Sequence, residues 1–145
     1  MDALIVDVAD AIASALSSAV FSPPYADVEA EMTYEPFYDI EKMSELKIFV
    51  VPKATATSLI ARTTKEEQIQ VDIGVQKKQA KRGAGETNKL MWLVSEIKEF
   101  LWTTKKFGGC RVIGVENEPA FSPEHMISSG VFTSVVTVTL LKVGT

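Results

Sequence analysis

The stretch from Gln68 to Gln76 constrains the fold more than any other part of the chain. Apolar side chains stand at every second position of it, at Ile69, Val71, Ile73 and Val75. Alternation with a period of two is the pattern of a β-strand that buries one of its faces. The sequence therefore predicts a sheet that other elements of the chain must cover on one side.

Other segments complete this sheet. Residues 27–35 alternate too, with Val28, Ala30, Met32 and Tyr34 on one face and acidic side chains on the other, and Pro36 ends the run. Further strands are predicted over 46–51, 110–115 and 131–143. Pro52 is expected to close the first of these, because proline has no N–H to donate to a sheet. The Thr-rich segment 54–64 is ambiguous.

Two helices are predicted to cover the sheet. The first runs from about Leu4 to Ala19, with Asp2 as its N-cap and a stop at Ser22-Pro23-Pro24. The second begins with Thr87 or Asn88 as its cap and is expected to end at Gly108 and Gly109. Its apolar residues recur at helical spacing and should face the sheet: Leu90, Leu93, Val94, Ile97 and Leu101, with Phe100 at the margin.

The length and composition fit one domain. The chain has 145 residues, of which 46% are hydrophobic and 23% are charged, so a single core can form without disulfides or a metal. We predict an α+β fold over residues 1–145, with a mixed or antiparallel sheet packed by two main helices.

The apolar N-terminal run carries acids where a signal peptide needs bases, and no apolar run is long enough to span a membrane. A cytoplasmic site of synthesis is therefore expected.

Charge is divided unevenly along the chain. Residues 1–45 contain ten acidic side chains and one base, whereas residues 46–145 contain nine acids and fourteen bases. A bipolar surface of this kind favours head-to-tail self-association. The alternative is that both sets are simply solvated faces.

Residues with catalytic chemistry are few. His125 lies beside Glu124 but has no nucleophile or third group at a recognisable spacing. Cys110 begins a predicted strand, where a small core residue is more usual than a thiolate activated by Arg111. Gly83-Ala-Gly85 lacks the spacing of a phosphate-binding loop. We therefore predict no enzymatic activity, no cofactor and no metal site.

A nucleic-acid-binding module is a further alternative, since Lys77, Lys78, Lys81, Arg82 and Lys89 cluster along the chain. The isoelectric point of about 5.1 and the absence of interleaved aromatic residues argue against it. Trp92 and Trp102 are ten residues apart on the second helix, which suits packing or an interface better than base stacking.

Several stretches carry a resemblance to a known family. They are residues 46–52 (LKIFVVP), 70–77 (QVDIGVQK), 115–119 (VENEP), 122–126 (SPEHM) and 132–140 (FTSVVTVTL). With the order helix, strands, helix, strands, they resemble the tail terminator, or tail completion, proteins of tailed bacteriophages. The resemblance implies a structural subunit of a ring, usually hexameric, on the last ring of the tail tube. Such a ring stops tube growth and presents the surface to which the head attaches; neighbouring head–neck completion proteins are the alternative.

This interpretation implies the partners: other copies of the chain, the tail tube protein and a head-side connector, with no membrane. The protein would belong to the virion and be assembled in the host cytoplasm. DNA would pass through the lumen without specific binding. A row of acidic side chains could repel it, namely Asp27, Glu29, Glu31 and Glu35. A ring subunit of this kind needs a contact with its own copies and a docking surface, and the sequence offers a candidate for each. The subunit interface would use Lys77, Lys78, Lys81 and Arg82 against Asp27, Glu29, Glu31 and Glu35 of a neighbour, and the docking loop would present Glu118, Pro119, Phe121 and His125.

Overall fold

The strand predicted from residue alternation forms the centre of the sheet. The computed structural model describes residues 3–34, 46–78, 84–118, 120, 122–123 and 130–144. Within them the chain forms α1 (Leu4–Ser18), β1 (Ala30–Met32), β2 (Lys47–Leu59), β3 (Lys65–Lys78), α2 (Ala84–Thr104), β4 (Lys106–Phe107), β5 (Cys110–Asn117) and β6 (Val131–Gly144).

The described strands form one mixed sheet in the order β1-β2-β3-β6-β5-β4. β1 pairs parallel with β2, and every other neighbouring pair is antiparallel. β3 and β6 lie side by side along their whole lengths, from Lys65 opposite Gly144 to Lys78 opposite Val131. The long strands β2, β3 and β6 therefore form the backbone of the fold, and the short strands β1 and β4 form its edges.

Both helices pack on one face of this sheet. The predicted stripe of α2 is confirmed, since Leu90, Leu93, Val94, Ile97 and Leu101 are all buried. They join the buried face of α1 and the alternating residues of β3 in one hydrophobic core. Phe100 lies at the margin as predicted, with its ring centroid 6.0 Å from that of Phe21 and 6.5 Å from that of Phe107. The fold is α+β, with a mixed sheet packed by two helices, as the sequence predicts.

Pro52 does not end its strand. β2 continues through it to Leu59, and the pairing with β3 shifts register between Pro52 and Ala54. Proline is tolerated here because, within the described residues, β1 pairs with β2 only as far as Val50, so the missing N–H falls on an edge of the sheet. The ambiguous segment 54–64 thus belongs to a β-hairpin.

The helix boundaries also differ from the predictions. α1 has Ala3 as its N-cap without a side-chain cap bond, and the predicted cap Asp2 lies outside the described residues. α2 begins at Ala84, before Thr87 and Asn88, and ends at Thr104. Lys105, with φ 69°, provides the left-handed exit, and its N–H donates to the carbonyl of Leu101.

Gly108 and Gly109 have a different role from the one predicted. Both have positive φ, and they form the two-residue turn between Phe107 and Cys110, which pair across the β4–β5 hairpin. Two-residue hairpin turns with two positive φ values favour glycine. The glycine pair that seemed to end a helix therefore closes a hairpin, and the helix ends earlier.

The strand predicted over 27–35 is shorter in the structure. Only Ala30–Met32 pair as β1, and Tyr34 is 67% exposed, so its expected place on the apolar face is wrong. Ser17 of α1 satisfies the outer edge of β1, because its Oγ accepts from Ala30 N and donates to Ala30 O at 3.0 and 3.2 Å. A short edge strand covered by a helix side chain resists unwanted strand addition.

Among the described helices, none combines the length and the apolar character that a membrane span requires.

Candidate functional site

The acidic row lies on the β1 edge of the sheet. Asp27, Glu29 and Glu31 are exposed, and Val28 between them is buried, so the predicted alternation holds at these positions. Glu35 lies outside the described residues. No group of three or more His, Cys, Asp or Glu side chains in the described ranges is close enough to hold a metal ion. The row is an extended acidic surface.

A cleft runs beside this row. It has a volume of about 580 Å³. Its lining combines acidic residues with apolar ones and the first residues of β2: Ser17, Asp27, Val28, Glu29, Ala30, Glu31, Leu46, Lys47 and Ile48. Because three carboxylates face one amine, the lining carries a net negative charge. An occupant of this cleft would need basic groups together with apolar ones.

The predicted basic loop is only partly described. Lys77 Nζ forms an ion pair with Glu86 at the start of α2 of the same chain, and both side chains are half-buried. Lys78 is exposed, and Lys81 and Arg82 lie outside the described residues. Lys77 is therefore held by its own subunit and is a poor candidate for reaching a neighbour.

The acidic and basic sets lie closer together than the sequence suggested. Gln76 of β3 is opposite Lys47 of β2, and Ile48 is in turn opposite Ala30 of β1. With about 4.8 Å between neighbouring strands, the end of β3 that carries Lys77 is roughly 10 Å from the acidic edge. The basic loop could therefore meet the acidic edge of its own subunit, so the distance between the two sets does not require the predicted contact with a neighbour.

The predicted docking loop falls mostly outside the described residues. Glu118 is described and exposed, whereas Pro119, Phe121 and His125 are not among the described positions. Ser122 N donates to Thr133 O at 3.0 Å, which holds Ser122 beside the first residues of β6. The docking role of this loop stays a prediction.

Cys110 is a core residue, as the sequence suggested. It is fully buried, and burial raises the pKa of its thiol, with Glu67 raising it further and Lys142 opposing the shift. The alternative of a thiolate favoured by Arg111 is therefore wrong. Burial also raises the pKa of Tyr25, as does the negative charge of Glu86. Both groups favour their neutral forms, which makes them weak nucleophiles near neutral pH.

Sequence reasoning missed a projecting part of the sheet. We call it the arm: residues 53–59 of β2, 65–68 of β3, the turn between them, and 141–144 of β6. Every residue from Lys53 to Thr63 is exposed, so the β2 strand of the arm has neither face covered. The large apolar side chains of the arm are in water, with Leu59 64%, Ile60 53% and Val143 54% exposed.

We call residues 59–65 at its end the tip. Backbone hydrogen bonds close the turn, from Ile60 N to Thr64 O at 3.0 Å and from Thr64 N to Ala61 O at 3.3 Å. The tip carries two exposed cations, Arg62 and Lys65, and no acid. A signal for it existed in the sequence, because the apolar pair Leu59-Ile60 interrupts an otherwise polar, Thr-rich segment.

The outer face of α2 carries two exposed tryptophans. Trp92 is 62% exposed and Trp102 is 45% exposed. Ser95 and Glu99 are exposed between them, so the two indoles flank one solvent-facing stripe of the helix. Large aromatic side chains exposed in this way are typical of protein interfaces, and the interface role of these two residues stays a prediction.

No protein-family model matches the chain, and no curated protein matches it either.

Proposed function

We propose that this protein is a structural subunit of a bacteriophage virion, which forms a ring at the end of the tail tube. In this role it stops tube polymerisation and offers the surface to which the head attaches. The resemblance of residues 46–52, 70–77 and 132–140 to tail terminator proteins suggests this station. The experiment below separates it from a neighbouring connector of the head and neck.

The observation that carries the proposal is the arm. A sheet segment gains stability mainly by burying at least one face, and an isolated hairpin is marginally stable in water. In the arm, the β2 strand is exposed on both faces and its apolar tip residues face water. An exposed apolar surface on a projecting element favours a partner that covers it, as a neighbouring subunit of a ring would.

The exposed tryptophans give independent support. Trp92 and Trp102 lie on the outer face of α2, whereas the arm extends from the sheet. A subunit at the junction between a tube and a head needs separate surfaces for its own copies and for its axial partners. Two apolar surfaces on different elements suit such a subunit better than a protein with a single partner.

Electron microscopy tests the proposal directly. Purified protein would be imaged in negative stain alone and with tail tubes from a phage that encodes the chain. We expect closed rings, with one ring bound at one end of each tube. Protein that neither forms rings nor binds tube ends would contradict the proposal.

A genetic experiment identifies the station along the neck. Loss of the gene should give overlong or irregular tails that are not attached to heads, because nothing would halt tube addition. Tails of normal length, combined with a defect confined to the head or to its joining, would instead identify the chain as a head–neck connector.

A further inference from the structure

Two complementary surfaces lie at opposite ends of β2. The first residues of the strand, Lys47 and Ile48, line the acidic cleft, and the last residue, Leu59, belongs to the basic tip. The cleft contributes Asp27 and Glu29, and the tip contributes Arg62 and Lys65. All four charged side chains are exposed, and within the described part of the chain none of the four has an ion-pair partner.

The tip cannot reach the cleft of its own chain. β2 contains 13 residues, and a strand rises by about 3.3 Å per residue, which places the two surfaces roughly 40 Å apart. The strand between them is paired with β3 throughout, so it cannot fold back on itself. Any contact between tip and cleft must therefore join two copies of the chain.

We infer that the tip of one copy inserts into the acidic cleft of the next copy. This inference rests on the proposed function, because it names the contact that would close the ring. The contact is heterologous, since each copy offers one tip and one cleft. Repetition of a heterologous contact gives a closed ring, or an open filament where the rotation does not close.

The tip and the cleft match each other both in charge and in their apolar side chains. Arg62 and Lys65 of the tip would face Asp27 and Glu29 of the cleft. Each of these four charged groups would then gain an oppositely charged partner that it does not have among the described residues of its own subunit. Leu59 and Ile60 would leave water for a cleft whose lining includes Val28, Ala30, Leu46 and Ile48. The backbone bonds that close the turn and the Ser17 bonds that hold Ala30 fix both surfaces before they meet, which lowers the entropic cost of binding.

Other bases fit the cleft less well. Lys77 is paired with Glu86 of its own chain, and Lys53 lies 3.8 Å from Asp72. Arg62 and Lys65 lie on the turn at the end of the arm, beside the exposed side chains of Leu59 and Ile60. We therefore place the intersubunit cations at the tip.

Charge reversal provides the first test. Arg62→Glu with Lys65→Glu gives a tip variant, and Asp27→Lys with Glu29→Lys gives a cleft variant. The matched control is Lys89→Glu with Lys106→Glu, which changes the net charge as the tip variant does, at exposed positions outside both surfaces. By sedimentation velocity at low salt, we expect self-association of the tip and cleft variants to weaken roughly tenfold or more. The control should assemble as the wild type does, and circular dichroism should show that all variants are folded.

Mixing the two variants gives the decisive result. The normal tip of the cleft variant fits the normal cleft of the tip variant, and the acidic tip and basic cleft that the reversals create also match each other in charge. We therefore expect an equimolar mixture to regain self-association, with the two variants alternating. A symmetric contact, such as pairing between the exposed β2 edges of two arms, would instead leave homodimers in each variant alone, and that result would overturn the inference.

The outcomes also separate this contact from the proposed function. Rings that persist in both charge variants overturn the tip–cleft contact and leave the ring function standing. Head-to-tail oligomers that require the tip and cleft but never bind tail tubes overturn the function and leave the contact standing. A wild-type chain that stays monomeric at millimolar concentration in low salt overturns the inference.

Discussion

Gly74 of β3 is the position at which one methyl group should most clearly disturb the sheet. It lies directly opposite Phe49 of β2, and the Phe49 ring is only 4% exposed. A Cβ added at Gly74 would lie 2.0 Å from Cε2 and 2.2 Å from Cζ of that ring, where real contacts essentially never fall below 3.0 Å. Gly74→Ala therefore forces the ring or the strand to move.

The magnitude follows from two opposing effects. Forcing an extra methyl into a packed site costs about 1–3 kcal/mol. Alanine offsets part of this cost, because glycine in a strand interior is destabilising by roughly 0.5–1 kcal/mol. We expect a net loss of about 1–2 kcal/mol in the free energy of unfolding, measured by urea denaturation followed by circular dichroism.

Gly114→Ala is the matched control. Gly114 also lies in a strand, but its added Cβ would be 3.7 Å from Thr139 Cβ, an ordinary contact. We expect this variant to be neutral, or stabilised by up to about 1 kcal/mol. In a Phe49→Ala background the cost of Gly74→Ala should largely disappear. Equal effects at the two glycines, or no coupling to Phe49, would refute the packing of the ring over Gly74.

Ile97→Ala removes a fully buried side chain of α2 and should cost about 2–5 kcal/mol in urea denaturation; a change below about 0.5 kcal/mol would contradict the assigned buried face. Because burial raises the pKa of Cys110 above its ordinary 9.0, the folded state binds the thiol proton more tightly than the unfolded state does. The contribution of the Cys110 thiol to the free energy of unfolding should be complete below the ordinary pKa and be lost as the pH rises through the folded pKa. In urea titrations at a series of pH values, Cys110→Ala should remove this loss of stability. The variant should keep the separate loss at higher pH that comes from Tyr25, whose pKa is raised above 10.0. Trp92→Ala and Trp102→Ala should change stability by less than about 0.5 kcal/mol but reduce binding of rings to tail tubes in a pelleting assay, and unchanged binding in both variants would exclude this face of α2 from the axial contacts.

The interiors of α2 and β3 could be predicted because their periodicity reflects one direct cause, the burial of one face. The α2 stripe from Leu90 to Leu101 and the alternation of β3 are of this kind, and both are confirmed. Element ends depend on competition between neighbouring elements, which a local pattern does not contain. Gly108 and Gly109 are suitable for a helix exit and for a hairpin turn, and the pairing of Phe107 with Cys110 decides between them.

Pro52 illustrates a second limit of local patterns. Proline ends a strand that has neighbours on both sides, but it is tolerated at an edge. Whether Pro52 lies at an edge depends on where β1 stops pairing, and this follows from the shortness of β1 and from its contact with Ser17. Those contacts join residues that are distant in sequence, so the continuation of β2 could not be predicted from residues 46–64 alone.

The exposure of the tip is explained by a row of residues that crosses three strands of the arm, and the sequence of one strand alone does not predict it. One row of the arm consists of three paired residues, Thr57 of β2, Glu67 of β3 and Lys142 of β6. This row lies on the same face of the sheet as the buried residues Ile69 and Leu140. Three polar side chains in one row mark the point at which the hydrophobic core ends. Leu59 lies in the next row, opposite Lys65, so the polar row separates it from the core and leaves it 64% exposed. Its apolar side chain therefore contributes little to the packing of its own subunit, and this separation is the physical reason to look for its partner in another copy of the chain.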